Sequence, residues 1–235
     1  MKSKNLYQSA APVIAGTVLY FLLMSGWNFL SGLTAFHPAV SLAAKVLRLG
    51  LPCGLMYRMG VRMPPVARRP VFSDLSVAGL CLCGMIAVRY PVQWLSTVLP
   101  ASEVSADIRS VWFWISACIL SPILEECFFR GMLLTGLTPF GNAAACVACS
   151  VIFALPHSGA LSIFYAFLCG MILSFCAMRT QKLMWCMLLH FAANLTALCA
   201  NLQNASLAAW RICDAILLIG GLLIFILFRG RAEKE

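Results

Sequence analysis

The sequence predicts an all-α, multi-pass transmembrane helical bundle of about eight spans. Three observations carry that prediction. Hydrophobic residues make up 62% of the 235-residue chain and charged residues only 11%, with a mean hydropathy of +0.90; soluble domains carry about a quarter charged residues. Apolar stretches of roughly spanning length recur at 10–33, 39–59, 74–99, 110–136, 141–158, 160–178, 183–202 and 210–228. Basic residues gather in alternate connections between them. Inside a bilayer every backbone polar group needs an internal partner, so spans of this length are helices.

Taken in order, the first span follows Met-Lys-Ser-Lys and no small-x-small cleavage site, so it reads as a retained span. The second, entered at His37-Pro38, carries Lys45, Arg48 and Pro52 and is the weakest of the eight. A tilted or interfacial helix there would leave seven spans and turn the N-terminus outward. The third opens at Asp74 after the basic stretch Arg62 to Pro70, and Pro100 to Arg109 separates it from the fourth. Thr138-Pro139-Phe140-Gly141 ends the fourth, His157-Ser158-Gly159 the fifth, Arg179 to Lys182 the sixth and Asn201 to Asn204 the seventh. By motif content, residues 1–110 form N-terminal helices without a recognisable signature. Residues 111–205 form a motif-bearing core, and residues 206–235 a last span with a basic tail.

The formal charge of +9 comes from 17 Lys and Arg against 8 Asp and Glu. With eight spans, Lys2, Lys4, Arg58, Arg62, Arg68, Arg69, Arg179, Lys182, Arg229, Arg231 and Lys234 share one side, and Arg109 and Arg211 take the other. That asymmetry predicts a cell-membrane protein with both termini cytoplasmic. It accounts for the charge without a nucleic-acid partner. Most of the twelve cysteines lie in apolar runs. The one CxxC, Cys146 to Cys149, lacks the polar setting of a redox pair and the second CxxC of a zinc ribbon. These cysteines read as small packing residues.

Acids are the scarce residues. Asp74 reads as a helix N-cap, Glu103 and Asp107 as loop residues, Asp214 as a helix partner of Arg211, and Glu233 and Glu235 as tail residues. Glu125 and Glu126 fit none of these settings, because they lie about 15 Å from either end of the fourth span. A charge there costs at least about 3 kcal/mol. Arg130, four residues after Glu126, sits one turn on and on the same face, so it is the natural partner. Glu125 points about 100° away and is left for chemistry. A purely structural pair that fixes helix packing is the competing explanation.

His157 ends the fifth span, and His190 and Asn194 share one face of the seventh. One carboxylate, two imidazoles and an amide suffice for general-base hydrolysis with an oxyanion hole. Glu125, His157 and His190 would equally make a zinc ligand set. Counted from the cytoplasmic ends, Glu125, His190 and Asn194 fall at roughly 10–16 Å depth and His157 nearer 24 Å. Tilt, a later helix start or a break at Pro156 would close that gap.

Glu125-Glu126-Cys-Phe-Phe-Arg130, Phe153-Ala-Leu-Pro-His157 and His190-Phe-Ala-Ala-Asn194 occur in order in consecutive spans. In this the chain resembles the CPBP intramembrane proteases, also called the CAAX-processing and bacteriocin-processing (Abi) family. The resemblance covers about residues 117–195 and includes the linker from Gly170 to Thr180. It implies an intramembrane endopeptidase acting on a membrane-associated peptide or protein. Glu125 with His157 would activate a water, His190 and Asn194 would stabilise the oxyanion, and Glu126 with Arg130 would orient the first motif. The cofactor expectation is none or Zn²⁺. Glutamate-activated water is favoured, because Asn is a poor zinc ligand and a good oxyanion donor.

Two other readings compete. A non-catalytic immunity or regulatory membrane partner needs none of this chemistry. A proton-coupled transporter uses buried Glu and His but shows no repeat symmetry here. Cys127 as a nucleophile is disfavoured by its apolar, acid-flanked setting.

Overall fold

The computed structural model of the chain describes residues 6–66, 72–96, 110–201 and 207–229. Glu103, Asp107, Glu233 and Glu235, with the basic residues of the N-terminus and tail, lie outside them. The described residues are helical with no strand: α1 (Leu6–Leu33), α2 (Pro38–Arg58), α3 (Phe72–Ala87), α4 (Arg89–Leu95), α5 (Val111–Phe140), α6 (Asn142–Ala154), α7 (Ala160–Thr180), α8 (Leu183–Asn201) and α9 (Leu207–Arg229). Each of the eight apolar segments contains a helix among its described residues. Six stretches are long and apolar enough to cross a membrane, among them Pro38–Arg58, the second segment. The helices bearing the histidine motifs, Asn142–Ala154 and Leu183–Leu198, are shorter. The protein is an all-α, multi-pass membrane protein.

The chain divides into two compact units. One comprises Met1–Pro64 with Arg109–Cys149, the other Pro65–Ile108 with Ser150–Glu235.

In the first unit, α1 and α2 pack against the second half of α5. Glycine makes the close approach: a Cβ on Gly16 would meet Met56 Cγ at 2.4 Å, and one on Gly136 would meet Val13 Cγ2 at 2.8 Å. Tyr20 packs tilted against Phe128 and edge-on against Phe129, at 4.9 and 5.6 Å between ring centroids, in a core completed by Met56, Met132 and Leu133. His37 has a definite role: its Nδ1 accepts from Ala39 N at 3.2 Å, and Pro38 opens the helix. Proline is favoured there because the first turn leaves its N–H groups without helical partners anyway.

In the second unit, α3 lies along α9 through small residues. A Cβ on Gly79 would stand 2.6 Å from Gly221 O, and the Cys83 thiol donates to Leu218 O at 3.4 Å. Small side chains let membrane helices touch backbone to backbone. Cys81, Cys83, Cys118, Cys149, Cys169, Cys176 and Cys186 are buried free thiols, as packing residues should be.

Two acids have partners the sequence does not suggest. Asp74 lies in the first turn of α3, where its carboxylate is buried and ion-paired with Lys182. Asp214 pairs at 3.0 Å with Arg89, where Arg211 was expected. Both are corrections with one cause: the partner comes from a helix distant in sequence and near in space.

Candidate active site

The first motif lies on α5, and the backbone there is unusual. Ile115–Leu120 and Cys127–Leu133 are π-helical, and the α-helical turn Ser121–Glu126 lies between them. Pro122 explains the first widening. It has no N–H for the Cys118 carbonyl one turn back, so the ladder shifts and Ser121 N donates to Ser116 O. At the second, the Phe129 carbonyl accepts from both Leu134 N and the Cys149 thiol, the latter at 3.2 Å. π-bulges inside α-helices are frequent at functional sites. Here two of them set the rotation at which Glu125 and Glu126 leave the helix.

Glu126 and Arg130 form the expected pair. Arg130 Nη1 donates to Glu126 Oε1 at 2.9 Å, and both side chains are fully buried. Phe129 lies 5.9 Å from the guanidinium. A buried pair of this kind adds little net stability, but loss of either partner is severe.

Glu125 is half-buried, and its surroundings were not legible in the motif. Tyr20 of α1 and Lys45 and Arg48 of α2 lie within electrostatic reach of its carboxylate. The Lys45 ammonium donates to Ser121 Oγ at 2.6 Å and Ser116 Oγ at 2.9 Å. Ser121 is one turn before Glu125 on the same face. Lys45, one of the two cations that weakened α2 as a span, is therefore bonded to the turn that carries the acid. The signal in the sequence was a pair of cations three residues apart at membrane depth, which share a helix face.

The second and third motifs meet around Phe153. α6 stops at Ala154, and a turn through Leu155 and Pro156 carries the chain to His157. A depth counted along a continuous helix does not extend past that stop. His157 N donates to Ala154 O at 3.0 Å, and Nδ1 lies 3.2 Å from the same carbonyl. The buried Phe153 ring has the His157 ring on one flank at 5.4 Å and the buried His190 ring on another at 5.7 Å, edge-on. Gly170 of α7 permits this packing, since a Cβ there would stand 3.0 Å from Ser150 Cβ and 3.3 Å from Phe153 Cδ1.

Asn194 follows His190 by one turn, and Arg89 anchors the backbone around it. The Arg89 guanidinium donates to Ala193 O at 3.2 Å, to Thr196 Oγ1 and to Asp214 Oδ1, with Tyr165 Oη at 3.4 Å. One cation thus ties α8 to α7 and α9 beside the amide. At the other end of α8, Leu183 N and Met184 N donate to Pro65 O and Val66 O. That satisfies two of the helix's orphan donors.

Within each unit, the described residues hold no group of three His, Cys, Asp or Glu placed for a metal ion. His157 and His190 are one ligand short of a catalytic zinc set.

No curated protein and no solved structure matches the chain. One family model does, over residues 107–196: Rce1-like, described as Type II CAAX prenyl endopeptidase Rce1-like. That stretch contains Glu125, Glu126, Arg130, His157, His190 and Asn194. Over the residues that hold its motifs, the chain is thus similar to the type II CAAX prenyl endopeptidase Rce1-like family, a match consistent with the CPBP protease family.

Proposed function

We propose that this chain is an intramembrane endopeptidase of the cell membrane that hydrolyses one peptide bond of a membrane-anchored peptide or protein. The observation that carries the reading is the buried Glu126–Arg130 pair on a doubly π-bulged helix, inside the stretch matched to the endopeptidase family. An isolated ion pair needs no second carboxylate beside it. Here Glu125 is that second group, half-buried and one residue before the buried pair.

In the proposed reaction Glu125, with His157, takes a proton from water. The oxygen adds to the scissile carbonyl carbon, and the carbonyl oxygen becomes an oxyanion. His190 and Asn194 donate to that oxyanion. Collapse breaks the C–N bond, and the proton passes to the leaving nitrogen. The products are a new carboxylate and a new amine. Glu126 and Arg130 hold the helix turn that presents Glu125, and Arg89 holds the backbone beside Asn194. The substrates in view are CAAX-type tails or bacteriocin-like peptides, and both termini of the chain are taken as cytoplasmic.

The test is cleavage of a membrane-anchored reporter by the protein in liposomes. Glu125→Gln should lose at least about a hundredfold in rate, the scale of general-base catalysis, while the protein accumulates normally. Retained cleavage refutes the mechanism. Cleavage that survives chelation supports activation by Glu125. Loss on chelation that zinc restores would overturn it.

A further inference from the structure

The first unit has a polar cleft at one end that the proposed reaction does not use. It encloses about 200 Å³ between α1, α2 and α5, and Ser9, Pro12, Arg62, Thr135 and Pro139 line it. That is roughly six times the volume of a water molecule in the liquid. Ser9 is in the first turn of α1, Arg62 follows the end of α2 at Arg58, and Pro139 precedes the end of α5 at Phe140. The cleft therefore opens where three membrane helices end, at the level of the lipid headgroups.

The backbone builds this cleft around a fixed cation. Gly60 has a φ of +99°, and the Gly60 and Val61 amides donate to Tyr57 O and Met56 O, each at 3.0 Å. This left-handed cap turns the chain back at the end of α2. Val61 is thereby buried against Gly136, where a Cβ would stand 3.6 Å from Val61 Cγ2. Arg62 comes next and stays at the rim. Its Nη1 donates to Tyr57 O at 2.7 Å and to Val61 O at 3.1 Å, and its guanidinium lies 4.3 Å from the Tyr57 ring. Capping α2 takes those two bonds. A guanidinium has five donors, and the three on Nε and Nη2 make no hydrogen bond to a described residue. The Ser9 and Thr135 hydroxyls make none either.

No acid balances the cation. The only acids in the sequence of this unit are Glu125 and Glu126. Thr135 follows the nearer of them by nine residues, more than about 10 Å along α5. Arg58, in the last turn of α2, adds a second exposed cation at the same end.

We infer that this cleft binds the phosphate of an anionic phospholipid. Basic pockets between membrane helices at a membrane surface hold such headgroups. The remaining Arg62 donors meet the phosphate oxygens in charge-assisted hydrogen bonds, and the Ser9 and Thr135 hydroxyls offer two more. A zwitterionic headgroup carries its own cation beside the phosphate, which Arg58 and Arg62 repel. None of the six motif residues lines the cleft, so the inference stands apart from the protease reading.

The experiment takes the full chain in a non-ionic detergent. It follows melting with a thiol-reactive dye and bound lipid by native mass spectrometry. The probes are phosphatidylglycerol, phosphatidylcholine with the same acyl chains, and inorganic phosphate. Phosphatidylglycerol at about a hundredfold over its dissociation constant should raise the melting temperature by about 5–10 °C, and phosphatidylcholine should give a smaller shift. Arg62→Gln should weaken phosphatidylglycerol binding at least about fivefold, the scale of one basic residue at an anionic lipid surface. Thr135→Val, which keeps the volume, should weaken it at least about twofold. Arg58→Gln, outside the cleft, should change it less than about twofold. Equal losses in Arg58→Gln and Arg62→Gln overturn the inference, since they mark attraction to surface charge at large. An equal response to phosphatidylcholine overturns it, and so does the full shift with inorganic phosphate alone, which marks a site for soluble anions. If Arg62→Gln fails to fold, Thr135→Val decides: unchanged lipid binding there overturns the inference.

Discussion

Replacing Arg130 by Met is the sharpest test of how α5 holds its site. Arg130 and Glu126 are both fully buried and joined at 2.9 Å. Without the guanidinium, the Glu126 carboxylate loses its ion-pair partner in a buried setting beside Phe128, Phe129, Met132 and Leu133. Breaking a buried pair from one side costs about 3–5 kcal/mol. At about 2–4 °C per kcal/mol for a chain of this size, the melting temperature should fall by roughly 6–20 °C. The buried thiols supply the assay: a thiol-reactive dye reads unfolding in detergent as they become exposed. The double variant Glu126→Gln with Arg130→Met removes both charges and should recover most of the loss, because replacing a buried pair outright is often near neutral. A single-variant drop under about 1 kcal/mol, or a double variant as unstable as the single, would refute the reasoning.

Other predictions concern the backbone, the packing and the anchor of Asn194. Pro122→Ala gives residue 122 an N–H and a residue about 3 kcal/mol better in a helix interior. The protein should melt no lower, while peptide cleavage falls at least about tenfold as Glu125 rotates out of register; unchanged cleavage would deny the π segment its positioning role. Gly79→Val should cost about 1–3 kcal/mol in melting experiments, because its Cβ would stand 2.6 Å from Gly221 O. Gly26→Val, with nothing within 4 Å, should stay within about 0.5 kcal/mol, and equal effects would discredit the packing argument. Arg89→Gln should lower kcat about tenfold with KM little changed, as the backbone beside Asn194 loosens. A change in KM alone would assign Arg89 to substrate binding instead.

Much of the fold was legible because helix periodicity and bilayer thickness are local constraints. Each of the eight apolar segments contains a helix among its described residues, and Thr138 to Gly141, read as the end of the fourth, forms a short 3-10 turn with a positive-φ glycine. The Glu126–Arg130 pair was legible for the same reason: a spacing of four residues fixes a shared face within one turn. Sequence reading faltered where the partner was remote. Lys45 looked like a defect in a span and bonds Ser116 and Ser121 of the helix that carries the first motif. The π register of α5 has a visible cause in Pro122, yet a proline alone does not say whether a helix kinks, breaks or widens.

By itself the sequence determined the helices, their apolar length, the order of the three motifs and which side chains share a helical turn. Only the tertiary structure decided the long-range pairings: Asp74 with Lys182 across 108 residues, Arg89 with Asp214 across 125, and Lys45 with Ser116 and Ser121 across more than 70. The reason is physical. A helix dictates its own neighbours through a fixed rise and rotation. The counter-charge for a buried group comes instead from whichever distant helix packs against it, and that depends on the glycines and small residues that let two backbones approach.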